Sequence, residues 1–113
     1  MVCLSYFVTI SLIRDIFFSN ERLFKGEWKR DLGLSLGEVS IGLIGGGRVA
    51  KKFKDLLQNC GVKEIKVFDV VDLREDIDWK ADNIKIVEIE EIKTCDVISL
   101  HVPLNDKTHH LLD

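Results

Sequence analysis

Six consecutive residues, Gly45-Gly46-Gly47-Arg48-Val49-Ala50, have the spacing G-x-G-x-x-G/A, and an acidic residue, Asp69, closes the next apolar run. This combination suits a dinucleotide. Gly45 permits a tight turn, Gly47 lets the backbone approach a pyrophosphate with no Cβ in the way, and Ala50 is small enough for a helix to pack against a strand. A helix starting here turns unpaired N–H groups and a positive dipole end toward the phosphates. Asp69 is placed to accept hydrogen bonds from the two ribose hydroxyls, and its charge repels a 2′-phosphate, which favours NAD over NADP. Arg48, Lys51 and Lys52 crowd the first turn of the same helix, where the dipole disfavours a cation by roughly 0.3–1 kcal/mol. A bound anion would offset that cost.

The elements that must position these residues are legible in the apolar pattern. Residues 39–44 form a short, mostly β-branched run that suits a strand buried on both faces of a parallel sheet. From Val49, the residues Val49, Ala50, Phe53, Leu56, Leu57 and Cys60 trace one helical face, and Gly61 stands at the C′ position. A second strand covers 65–69, giving a βαβ unit whose crossover is expected to be right-handed. The acidic stretch 70–83 reads as a loop with a turn of helix around 73–79. A third strand at 84–87, a short helix at 88–94 and a strong fourth strand at 97–102 follow, ended by Pro103. Thr108 reads as the N-cap of a further helix.

Upstream, Leu4, Phe7, Val8, Leu12, Ile13, Ile16, Phe17, Leu23 and Phe24 recur at three- and four-residue steps, with Thr9, Ser11, Arg14 and Asp15 between them. The pattern predicts one long amphipathic helix over 4–24, terminated by Gly26, then a loop over 27–38. The expected fold class is therefore α/β: strands one to four of a Rossmann-type, doubly wound parallel sheet preceded by a long amphipathic helix. The expected division is an N-terminal helix and connecting loop over 1–37 and a partial nucleotide-binding domain over 38–113. Both ends fall within elements, so the chain reads as a fragment of a longer protein.

Composition narrows the function. The chain has 113 residues, 46% of them hydrophobic, with one Pro and a formal net charge of −3, so it can bury a core. It lacks the basic stripe expected of a nucleic-acid binder. Cys3, Cys60 and Cys95 are far apart, with no cluster suited to zinc or to a disulfide framework, which points to a reducing compartment. The apolar run 2–13 has no basic residue before it and no small-residue cleavage site after it, and a membrane span needs about 20 apolar residues. A cytoplasmic location is expected.

Four stretches together resemble the NAD-binding domain of the D-isomer-specific 2-hydroxyacid dehydrogenases. They are Gly26-Glu27-Trp28, the run from Gly42 to Val49, Asp69, and Cys95-Asp96-Val97-Ile98-Ser99-Leu100-His101-Val102-Pro103-Leu104 continuing to Thr108. The resemblance implies that the backbone amides of Arg48 and Val49 hold the pyrophosphate and Asp69 the adenosine ribose. Val102, Pro103 and Thr108 would line the adenine and ribose side. In this family the catalytic histidine lies much later in the chain, so His101 reads as a structural residue at a strand end, and His109 and His110 as exposed helix-start residues. The family's Arg, Glu and His of hydride and proton transfer have no counterpart here. The resemblance implies oxidation of the CH–OH group of D-2-hydroxy acids, 3-phosphoglycerate among the candidates, by a cytoplasmic homodimer using NAD. The alternatives are a non-catalytic NAD-responsive binding protein and an inactive gene remnant of the same family.

Overall fold

The structure, a computed structural model, describes residues 2–27 and 35–102. Four strands, β1 (Ser40–Ile44), β2 (Glu64–Phe68), β3 (Ile84–Ile86) and β4 (Val97–Leu100), form one parallel sheet in the order β3-β2-β1-β4. Parallel neighbours require crossovers, and the β1 to β2 crossover is a helix, α3 (Arg48–Asn59). Ile44 pairs with Phe68 on one side and with Leu100 on the other, so the C-terminal ends of three strands lie level.

The expectation of a first strand buried on both faces holds for a specific reason on each face. Ile41 and Leu43 share one face with Ile65 and Val67, and the α3 residues Ala50, Phe53 and Leu57 cover it. On the other face a Cβ at Gly42 would stand 3.0 Å from Ile92 Cγ2 and 3.2 Å from Cys95 Sγ. Glycine there lets the short helix α4 (Ile89–Ile92) and its exit loop sit directly on the strand. At the other end of the sheet, Asp96 accepts a bond from the Ser40 N–H (2.9 Å) and returns its own N–H to the Ser40 carbonyl (3.1 Å), which ties the starts of β1 and β4 together.

α3 stops where the sequence says it should. Gly61 adopts φ +77°, the Gly61 N–H bonds the Gln58 carbonyl and the Val62 N–H bonds the Leu57 carbonyl, the paired bonds of a Schellman cap. The loop from β2 to β3 crosses α3 as a strap. Its helical turn is a 3-10 turn at Ile77–Trp79, started by Asp76, whose carboxylate accepts the Asp78 N–H at 3.0 Å. Trp79 is buried in the core with the Lys54 ammonium 5.8 Å from its ring centroid. The strap also corrects the charge argument for Lys51. Its ammonium lies 2.8 Å from Asp76 and 3.2 Å from Asp78, so carboxylates of the chain already offset its charge. These contacts raise the Lys51 pKa and lower that of Asp76.

The single long helix expected over 4–24 is two helices, α1 (Val2–Ile13) and α2 (Ile16–Phe24). The chain turns at Asp15, the one described non-glycine residue with positive φ (57°). Aspartate tolerates the left-handed region better than most residues. The expected polar face is also inverted. Tyr6, Thr9, Ile10 and Ile13 form the inward stripe, Ser11 is buried as well, and Leu4, Phe7, Val8 and Leu12 are exposed. The apolar residues surround α1 on most sides, so periodicity could not choose the buried face; contact with α3 chose it. There Tyr6 Oη and Cys60 Sγ share a 2.8 Å hydrogen bond, which, with burial, raises the Tyr6 pKa. Gly26 (φ +80°) ends α2 as expected, whereas the loop expected over 27–38 contains a 3-10 turn at Leu36–Glu38.

The turn at Asp15 yields a first prediction. Asp15→Val, which resists positive φ, lowers unfolding free energy by about 1–2 kcal/mol, while Asp15→Gly leaves it within roughly 0.5 kcal/mol. Urea unfolding of the two variants measures the difference.

Candidate dinucleotide-binding site

The loop from β1 to α3 lies at the centre of the C-terminal edge of the sheet. The Gly45 N–H bonds the Phe68 carbonyl of β2 at 2.8 Å, and the His101 N–H bonds the Ile44 carbonyl at 2.8 Å. Crossovers leave β1 toward β2 on one side and arrive at β4 on the other, which makes this a topological switch point, the crevice where open α/β sheets bind ligands.

The three loop glycines do different work. Gly45 is buried with φ +104°, and a Cβ there would overlap the His101 carbonyl and stand 3.0 Å from Val102 Cγ1. Val102 thus lies beside the turn. A Cβ at Gly46 would stand 2.8 Å from Leu73 Cδ1, a leucine of the strap. At Gly47 a Cβ would meet nothing within 4 Å, and no side chain caps α3, which starts at Arg48. The first N–H groups of a helix have no partner inside it. The loop therefore leaves an open cradle in front of α3, with the Arg48 and Val49 amides at its rim, and this fits a dinucleotide pyrophosphate.

Asp69 sits beside the cradle. Its Oδ2 accepts the Gly46 N–H at 2.8 Å and its Oδ1 accepts the Val71 N–H at 3.2 Å. A carboxylate oxygen has two lone pairs, so each retains acceptor capacity for a hydroxyl. The structure thus brings Gly45, Gly47, Arg48, Val49, Asp69 and Val102 to one edge of the sheet. Pro103, Thr108, His109 and His110 lie outside the described residues. His101 is half-buried with its ring centroid 5.6 Å from that of Phe53 and its Nε2 2.8 Å from Ser99 Oγ. Burial lowers its pKa.

Beyond Asp69 a cavity of about 360 Å³ opens between the strap and the end of β3. Asp72, Leu73, Arg74, Glu88 and Glu91 line it together with Asp69, and the sequence reading had singled out none of the first five. Arg74 grips Asp72 with two side-chain bonds, Nε to Oδ1 at 3.0 Å and Nη2 to Oδ2 at 2.9 Å, and its N–H adds a third at 3.0 Å. These bonds hold the Asp72 carboxyl down at about 2. The spacing Asp-x-Arg within an acidic loop was the available signal.

A family model described as D-isomer specific 2-hydroxyacid dehydrogenase, NAD binding domain, matches residues 6–113. The chain belongs to this family. Among curated relatives, the D-lactate/D-glycerate dehydrogenase of Pediococcus acidilactici is 28% identical over 107 residues, covering 92% of this chain and 31% of that protein. The (S)-sulfolactate dehydrogenase of Chromohalobacter salexigens is 30% identical over 108 residues, with 90% and 33% covered. The solved D-lactate dehydrogenase of Aquifex aeolicus, complexed with NAD and lactic acid, is 28% identical with a TM-score of 0.85, covering 99% of this chain and 34% of that one. The chain spans about a third of the length of these relatives.

The unequal surroundings of the glycines make a second prediction. Gly45→Ala lowers stability by roughly 2–4 kcal/mol through positive φ and overlap with a backbone carbonyl, whereas Gly46→Ala presses on the side-chain ends of Leu73 and Asp69 rather than on backbone and loses about 1 kcal/mol. Thermal unfolding of the two variants gives the ranking.

Proposed function

We propose that the chain binds NAD as the cofactor domain of an oxidoreductase acting on the CH–OH group of D-2-hydroxy acids, in a cytoplasmic homodimer. The observation that carries the reading is the open cradle at Gly47 in front of an uncapped helix, with Asp69 fixed beside it. NAD, when bound, supplies the hydride acceptor. The chain's own residues bind and orient it: Gly45 shapes the turn, Gly47 admits the pyrophosphate, and the Arg48 and Val49 amides donate to its oxygens. Asp69 accepts from the ribose hydroxyls, and Val102, Pro103 and Thr108 line the adenine and ribose side. We assign no catalytic residue within these 113 positions. In this reading residues 1–37 form the helical part and 38–113 the nucleotide-binding part.

The homodimer is supported by the outward faces of the first two helices. Leu4, Leu12, Phe17 and Phe24 are each more than half exposed, and Phe7 and Phe17 meet edge to face at 6.2 Å, giving one apolar surface across both helices. Patches of this kind on soluble proteins mark interaction sites. A second copy offers a matching face about a twofold axis. Among the described residues, no helix is long and apolar enough to cross a membrane.

Two measurements test the proposal. Titration calorimetry with ADP-ribose shows saturable binding, which Gly47→Val reduces at least tenfold while the thermal midpoint stays near that of the unaltered chain, because the new side chain enters open space; equal binding by both would refute the loop assignment. Light scattering at micromolar concentration gives a dimer, and Phe17→Glu gives a monomer; a monomeric unaltered chain would refute the dimer.

A further inference from the structure

The cavity beside Asp69 is lined by four carboxylates, Asp69, Asp72, Glu88 and Glu91, and by one guanidinium, Arg74. An arginine in the loop after the second strand is the residue type that receives a 2′-phosphate. Here its charge is already engaged. We infer that the Asp72–Arg74 pair is a specificity device of the cofactor site, in which Asp72 occupies the guanidinium that would otherwise hold the 2′-phosphate of NADP. The inference rests on the cofactor reading above and adds the residues that discriminate between the two forms of the cofactor.

Geometry supports this assignment. Both guanidinium bonds run to the two oxygens of a single carboxylate, at 3.0 and 2.9 Å, so Asp72 stands where a bidentate phosphate partner would. The Arg74 N–H donates to the same carboxylate, which makes the arrangement local to residues 72–74 and independent of the rest of the fold. The Arg74 and Asp72 side chains are 77% and 57% exposed, so a change at Asp72 can release Arg74 without disturbing the core. Asp69 remains bonded to the Gly46 and Val71 N–H groups whichever way Arg74 turns. With Asp72 ionised, a 2′-phosphate, itself a dianion near neutral pH, would face several carboxylates and, among the described residues lining the cavity, no unpaired cation.

The test is calorimetric titration of the whole chain with NAD and with NADP, read as the ratio of the two affinities. The unaltered chain prefers NAD. Asp72→Asn keeps an acceptor for the Arg74 N–H but removes the competing charge, and it shifts the ratio toward NADP by roughly tenfold, the worth of one charge-assisted hydrogen bond. Arg74→Gln leaves Asp72 unpaired and shifts the ratio further toward NAD. The double variant, with the net charge of the unaltered chain, loses the gain of Asp72→Asn. NAD binding with an unmoved ratio in Asp72→Asn would overturn the inference while leaving the cofactor reading intact. So would a double variant that keeps the full gain, since charge removal alone would then explain it. Binding of neither cofactor by the unaltered chain would overturn the cofactor reading itself, and this inference with it.

Discussion

Everything near the proposed cofactor depends on β1 being an interior strand, hydrogen-bonded in parallel on both sides and covered on both faces. A strand so placed has no exposed edge, and beyond Ser40 at its start its side chains are apolar or absent. Ile41 and Leu43 supply the apolar face toward α3, and Gly42 supplies the missing volume toward Ile92 and Cys95. The chain can then leave only from the strand's C-terminal end. It does so between β2 and β4, under the His101 carbonyl, where only a glycine at 45 takes the required conformation. The packing of this interior strand and the shape of the cradle are thus one constraint.

Charge is distributed around that cradle in locally closed sets. Lys51 is held by Asp76 and Asp78, Lys54 lies beside Asp55 and over Trp79, and Arg74 is held by Asp72. Of these, the Lys51 pairs join α3 to the strap, Lys54–Asp55 lies within α3, and Arg74–Asp72 lies within the strap. Surface ion pairs of this kind contribute little to stability. The Lys51 pairs act on placement: running from α3 to Asp76 and Asp78, they pin the strap across the helix, where Leu73 closes over Gly46. Asp69 completes the arrangement by bonding the loop on one side and the start of the strap on the other.

The two N-terminal helices obey a different logic. α1 turns its small and polar residues Thr9 and Ser11 inward and leaves Leu4, Phe7, Val8 and Leu12 outside. Small side chains permit close approach between helices, and Ile13 reaches into the sheet's core from this position. Leaving large apolar side chains in water is unfavourable by roughly 1.5–3 kcal/mol each relative to full burial, a cost that the proposed homodimer would relieve.

What the residues determined by themselves was everything set by short-range chemistry. The four strands and the helix after the glycine loop follow from apolar runs and periodicity, the caps at Gly26 and Gly61 from glycine's access to positive φ, and the loop with Asp69 from the spacing of small and acidic residues. Three features were decided only by tertiary structure. The break at Asp15 is invisible to periodicity because the apolar pattern continues across it; it appears only in the fold, where Phe7 of α1 meets Phe17 of α2. The buried face of α1 depended on the shape of α3, since apolar residues occur on most sides of that helix. The charge state of the site depended on the strap: Lys51 and Arg74 read from sequence as free cations or went unnoticed, and the carboxylates that hold them come from residues 72–78, a stretch with too weak a pattern to place. Periodicity reports which residues avoid water, but the partner of a charge, or of a helix face surrounded by apolar residues, is fixed only when distant segments meet.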